Sequence, residues 1–124
     1  MKNMFPALCL TVSLVLCGPA NAVPCNSDEI ALLVEFPVKP GMESQLEKLL
    51  LQLTDSSVKE PGTVFYAPYF SKDTATYHMV ERYQNEQALA EHGQSAVLKE
   101  IFPQIKELLR MDAKGVRINA VCDS

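Results

Sequence analysis

The spacing of apolar side chains changes along this chain, and each change marks an element. Ile30–Val38 (IALLVEFPV) is an apolar, β-branched run interrupted by Pro37 and closed by Lys39-Pro40-Gly41. A short apolar run bounded by turn residues predicts a strand. From Met42 the pattern becomes helical. Met42, Leu46, Leu49, Leu50 and Leu53 share one face, and Glu43, Gln45, Glu47, Lys48 and Gln52 take the other, which predicts a helix over 42–57. Glu60-Pro61-Gly62 punctuates. Val64–Phe70 (VFYAPYF) then reads as a second strand, which Pro68 confines to an edge or a bulge because it lacks a ladder donor. A polar turn, Ser71-Lys72-Asp73-Thr74, joins it to a third strand, Ala75–Tyr83.

Asn85 and Ser95 are both good helix caps, and they predict helical pieces over 86–93 and 96–110. The second piece carries a full apolar face (Val97, Leu98, Ile101, Phe102, Ile105, Leu108, Leu109), with Pro103 expected to kink it or open its first turns. After Lys114-Gly115 comes a last strand, Val116–Val121. The order strand, helix, strand, strand, helix, strand is the split β-α-β arrangement of an α+β, ferredoxin-like sheet, in which the last strand lies antiparallel beside the first. Helices cover one face of such a sheet. The other face would expose Leu and Val from the first strand and aromatics from the hairpin, too large a patch for a monomer, so a twofold-symmetric homodimer is expected.

The 124 residues allow one domain at most. Met1-Lys2-Asn3 precedes an apolar stretch, Met4–Cys17, and Ala20-Asn21-Ala22 has the small-x-small form of a cleavage site. That stretch is too short to span a bilayer of roughly 30 Å, so residues 1–22 read as a signal peptide and 23–124 as the domain, periplasmic or secreted, with no stable membrane anchor. The remaining 102 residues carry ten basic and fifteen acidic side chains. So acidic a domain lacks the clustered cations that nucleic acid requires. Cys9 and Cys17 lie in the leader, leaving Cys25 and Cys122 near the two ends. An even pair in an exported domain reads as a disulfide, with two free thiols at frayed termini as the alternative. The fold reading also brings those ends together. No Cys-x-x-Cys, glycine-rich phosphate loop, Gly-x-Ser-x-Gly elbow or metal-ligand spacing is present.

Candidate chemistry is therefore sparse. There are two histidines, His78 at opposite strand parity from Tyr77, Met79, Glu81 and Tyr83, and His92 near a helix end. Parity sends Tyr66 and Phe70 to one face of the sheet and Phe65 and Tyr69 to the other. These aromatics read either as core and dimer interface, or as an apolar pocket with tyrosine hydroxyls and one histidine as its polar groups, suited to a flat phenolic or quinol ligand. Glu81 is a buried carboxylate of such a pocket or a structural partner of Arg82 or Arg117.

Four segments, in this order and spacing, resemble the antibiotic biosynthesis monooxygenase domain. They are Val38-Lys39-Pro40-Gly41 before a leucine-rich helix, Lys59-Glu60-Pro61-Gly62 leading into Phe65-Tyr66, Val80-Glu81-Arg82-Tyr83, and Ala88-Leu89-Ala90-Glu91-His92 followed by Gln94-Ser95. The likeness is strongest to small quinol-monooxygenase-like members and spans residues 29–120. It implies a dimeric α/β barrel that oxidises phenols or quinols with dioxygen and no metal or flavin cofactor. The deprotonated substrate itself reduces oxygen, so the protein supplies a base, a dry pocket and hydrogen bonds. His92 matches the family's helix histidine, Tyr66 the tyrosine after the Glu-x-Gly turn, Glu81 the strand carboxylate and Glu35 the acidic end of the first strand. Tyr83 stands where the family usually has Trp, and no Asn is evident on the first strand. Val97-Leu98 replaces a second histidine of some quinol-type members.

The expected reading is a dimeric, cofactor-independent oxygenase of a small phenolic or quinol compound. His92 and Tyr66 are its catalytic candidates, and Tyr83, Glu81, Glu35 and Phe102 line its pocket. Relatives with this fold also degrade haem or isomerise sugars, so the alternatives are a non-catalytic barrel holding a small hydrophobic ligand, or haem held through His92.

Overall fold

The computed structural model describes residues 24–122; the expected signal peptide lies outside them. The elements are β1 (Ile30–Pro37), α1 (Glu43–Ser57), β2 (Thr63–Ser71), β3 (Thr76–Tyr83), α2 (Glu86–Gly93), α3 (Ala96–Leu108) and β4 (Lys114–Asn119). The sheet order is β2-β3-β1-β4 with every neighbouring pair antiparallel, the ferredoxin-like α+β arrangement read from the sequence. Ile30 pairs with Tyr83 on one side and Asn119 on the other, so the first strand is central.

Local chemistry accounts for most element ends. Asn85 accepts the Ala88 N–H at 3.0 Å and Ser95 accepts the Leu98 N–H at 3.2 Å, capping α2 and α3 as expected. Entry into α1 has no side-chain cap, and Gly41 at φ +82° supplies the left-handed turn before it. Pro68 lies in β2, which is an edge strand, and the β2–β3 register shifts between Thr63 and Phe65.

Two expectations are corrected at α3. The first turns stay closed, because α3 is helical from Ala96 through Pro103, which takes an exposed position while Ile101 and Ile105 anchor the buried side. The helix also ends at Leu108 rather than 110. Leu109 is extended and bridges Val38, and the N–H of Arg110 donates to the carbonyl of Pro37, so pairing with the end of β1 replaces the last helical turn. Likewise β4 runs from Lys114 to Asn119, two residues earlier than expected, because its partners are Glu35 through Ile30.

Leu46, Leu50 and Leu53 of α1 and Ile101 and Ile105 of α3 pack on the inward residues Phe36, Tyr66, Tyr77, Met79 and Tyr83 of the sheet. The opposite sheet face leaves Leu33, Phe65, Tyr69, Val116 and Ile118 exposed. Beyond β4, Cys122 is bonded to Cys25 with a Cα separation of 5.6 Å, which excludes the free-thiol alternative. A bridge across 97 residues stabilises a fold by about 4–5 kcal/mol in the chain-entropy account. Disulfides form and persist in oxidising compartments. Among the described residues no helix is long and apolar enough to cross a membrane.

Candidate functional site

The helix-facing side of the sheet and the three helices leave a cavity of about 250 Å³ between them. Its walls are mainly aliphatic and aromatic, from Leu32, Val34 and Phe36 of β1, Leu53 of α1, and Leu98 and Phe102 of α3. Three side chains bring polar atoms to it: Tyr66 of β2, Glu81 of β3 and His92 of α2.

How His92 comes to face this space follows from two local features. It occupies the last turn of α2, a helix started by the Asn85 cap directly after β3, so α2 folds back over the Tyr83 end of the sheet. The turn Glu60-Pro61-Gly62 comes up against α2 from the other side. It is fastened by the N–H of Glu60 to the Ser57 carbonyl (3.1 Å) and by the N–H of Gln84 to the Gly62 carbonyl (2.9 Å). Gly62 is a glycine for a steric reason. A methyl group there would lie 2.2 Å from the Cβ of Ala88. This close approach sets the Glu60 carboxylate 2.9 Å from Nδ1 of His92, which is only 4% exposed.

His92 is also held by rings. Tyr66 and Tyr83 lie against it with centroids at 5.3 and 5.2 Å. The Tyr83 hydroxyl donates to Oε2 of Glu81 at 2.7 Å. Glu81 is 5% exposed, and burial pushes its carboxyl above the ordinary range, outweighing the Tyr83 hydrogen bond and the nearby His92, which pull it down. Burial, reinforced by the Glu81 charge, raises both Tyr66 and Tyr83 well above the ordinary tyrosine range. Both phenols therefore stay protonated and act as donors. Ser57, the last residue of α1, is buried beside Tyr66.

The structure brings together four of the expected site residues on the cavity wall, His92, Tyr66, Glu81 and Phe102. Tyr83 is fully buried and backs His92 instead of lining the space. Glu35 is not brought to the site. Strand alternation turns Val34 and Phe36 inward and Glu35 to the opposite face, where its carboxylate lies 3.8 Å from Nδ1 of His78. The arginine partners considered for Glu81 are engaged elsewhere, Arg82 with Glu29 and Arg117 with Glu86. Glu60 was missed. In the sequence it reads only as part of a turn, and nothing local ties it to a histidine 32 residues away. Among the described residues no three His, Cys, Asp or Glu side chains converge as a metal site would require.

The burial of Glu81 has a measurable consequence. Its carboxyl binds a proton more tightly in the folded chain than in the unfolded one, so the stability it contributes is complete at low pH and is lost as pH rises through the raised value. Glu81→Gln keeps an acceptor for Tyr83 and cannot ionise. Melting temperatures of the two proteins, followed from about pH 4 to about pH 8, should diverge in favour of the glutamine variant as pH rises. Parallel curves would show that Glu81 titrates as an ordinary carboxyl.

Solved structures with this fold are numerous. A conserved protein of Methanosarcina mazei shares 26% identity over 75% of this chain and 93% of its own, with a TM-score of 0.72. Rv0793 of Mycobacterium tuberculosis also shares 26%, over 77% of this chain and 98% of its own, at 0.72. A Nitrosomonas europaea protein assigned to an antibiotic biosynthesis monooxygenase class superposes equally well (0.72, over 78% and 94%) at 17% identity, a likeness of fold alone. No curated protein sequence matches the chain. The family model described as antibiotic biosynthesis monooxygenase matches residues 29–104, from the residue before β1 to within α3, leaving β4 and both bonded cysteines outside. With the cavity, its histidine and strands β1 to β3 of the sheet inside that match, the chain belongs to the antibiotic biosynthesis monooxygenase family.

Proposed function

We propose that this chain is a cofactor-independent oxygenase of a small phenolic or quinol compound, exported as residues 23–124 to the periplasm or the medium and active as a homodimer. The observation that carries the reading is His92, buried on the wall of a mainly apolar cavity and held at Nδ1 by the half-buried Glu60 carboxylate behind it. With Nδ1 taken by Glu60, only Nε2 is left for a ligand. An ionised carboxylate accepts the Nδ1 proton, fixes the tautomer and stabilises the imidazolium formed when Nε2 takes a proton from a phenol. Tyr66 and Glu81 supply the hydrogen bonds that orient the ring's oxygens, and the aliphatic walls keep water from the resulting phenolate.

For a quinol the balance is quinol plus dioxygen to hydroxyquinone plus water. One oxygen atom enters a ring C–H bond, the other leaves as water, and both electron pairs come from the substrate. The exposed apolar face of Leu33, Phe65, Tyr69, Val116 and Ile118 supports a sheet-to-sheet dimer, since monomers rarely leave such patches uncovered. The disulfide supports export.

Dioxygen consumption by the purified chain with a panel of hydroquinones tests the reading, with labelled dioxygen to trace the inserted atom. Uptake with one labelled atom in the product is expected. Binding of the same compounds without any uptake would instead assign a non-catalytic ligand carrier, the second function this cavity can serve.

A further inference from the structure

A second hollow adjoins the inner cavity. It is a groove of about 290 Å³ on the helix side of the molecule, floored by Leu98, Phe102 and Pro103 and edged by Lys99. Gly93, Leu98 and Phe102 line both spaces, so the two share a wall at the junction of α2 and α3. That wall is thin. A Cβ on Gly93 would meet nothing within 4 Å, and Leu98 and Phe102 are only half-buried. Lys99 donates to Oε1 of Gln94 at 2.8 Å, which holds its ammonium at the rim and leaves its aliphatic stem toward the groove. Lys106, which is not among the residues lining the groove, stands over the Phe102 ring, 5.3 Å from its centroid. The groove is therefore apolar inside with cations only at its edge. It lies on the side opposite the apolar sheet face, so a dimer through that face leaves it open.

We propose that the ligand has two parts, a ring in the inner cavity beside His92 and an unbranched apolar side chain that passes Gly93, Leu98 and Phe102 into the outer groove. The inference rests on the inner cavity taking a phenolic or quinol ring, and adds the substituent that ring carries. A bare ring uses the inner cavity alone and leaves apolar surface of Leu98, Phe102 and Pro103 in water. A chain of several methylenes covers it. The preferred substrate class is thus alkyl-substituted phenols or quinols over unsubstituted ones.

The test is anaerobic calorimetry, which reads binding without turnover, on the disulfide-bonded mature chain with hydroquinones bearing methyl, propyl and pentyl side chains. Each added methylene is expected to tighten binding by about two- to fourfold, the fourfold limit corresponding to full burial. Pro103→Glu puts a charge in the outer groove only. It replaces an exposed helix-interior proline with a better helix former, so the variant keeps its fold. It should bind the methyl compound like the parent and lose the dependence on chain length. One affinity for all three compounds in the parent, or an undiminished dependence in Pro103→Glu, would overturn the two-part ligand while leaving the ring site intact. No binding of any of the three would overturn both readings.

Discussion

Replacing His92 with alanine is expected to cut dioxygen consumption by a factor of about 10²–10⁴, the usual contribution of a positioned general base. The size follows from the lack of a substitute. Tyr66 and Tyr83 are held protonated chiefly by burial, so neither phenol can take over as base. Glu81 is itself pushed toward its neutral form, and Glu60 reaches the cavity only through the imidazole. The fold should survive the change. Glu60 keeps part of its carboxylate in water and the Thr63 hydroxyl beside it, so no buried charge is stranded. Imidazole added to the assay should restore part of the rate by occupying the vacated space, a rescue that general destabilisation would not show. Glu60→Gln should lower the rate less and shift its pH profile, as befits a residue that positions the base. An undiminished rate in His92→Ala would remove His92 from the mechanism.

Gly62→Ala should damage the domain far more than the same change at Gly93 or Gly115, where a new Cβ has room. The new Cβ would lie 2.2 Å from the Cβ of Ala88 and 3.1 Å from its Cα, so either the turn or α2 must move. Neither is free to do so. The turn is bonded to the end of α1 and to Gln84, and α2 is pinned through the Asn85 cap and His92. Overpacking of this kind costs about 1–3 kcal/mol, and for a domain of this size each kcal/mol lowers the melting temperature by roughly 4–8 °C. Activity should fall with it, because the same displacement separates Glu60 from His92. Adding Ala88→Gly removes the 2.2 Å contact, leaving only the tight 3.1 Å approach to the Cα, and should recover more stability than the roughly 1 kcal/mol that glycine costs a helix. Gly93→Ala, whose methyl group meets nothing within 4 Å, serves as the control for the melting temperature alone. A normal melting temperature in Gly62→Ala would show that the turn and α2 are not in contact in solution.

Part of this site is legible in the sequence alone. The alternation in Ala75–Tyr83 put Tyr77, Met79, Glu81 and Tyr83 on one face and His78 on the other, and the sheet keeps that division. The same rule applied to Val34, Glu35 and Phe36 would have excluded Glu35, which resemblance alone had placed in the pocket. Glu60 carried no such signal. Its neighbours in sequence are a proline and a glycine, and its function depends on α2 passing within contact of Gly62. The groove beyond Leu98 and Phe102 was equally invisible, because a helical periodicity marks which side of α3 is apolar but not where a facing backbone stops short.

The sequence by itself determined the elements, their order and therefore the sheet, because strand and helix periods and capping residues act over a few positions. It also predicts that the two cysteines lie near each other, since antiparallel pairing of the first and last strands joins the chain ends, and the structure shows them bonded. Only the tertiary structure decided which polar groups share a desolvated space and which lie across the sheet from it. Contacts such as Glu60 with His92 join segments far apart in the chain, and their geometry is set by how closely helix and turn can approach, a matter of side-chain volume at Gly62 and Ala88 rather than of pattern.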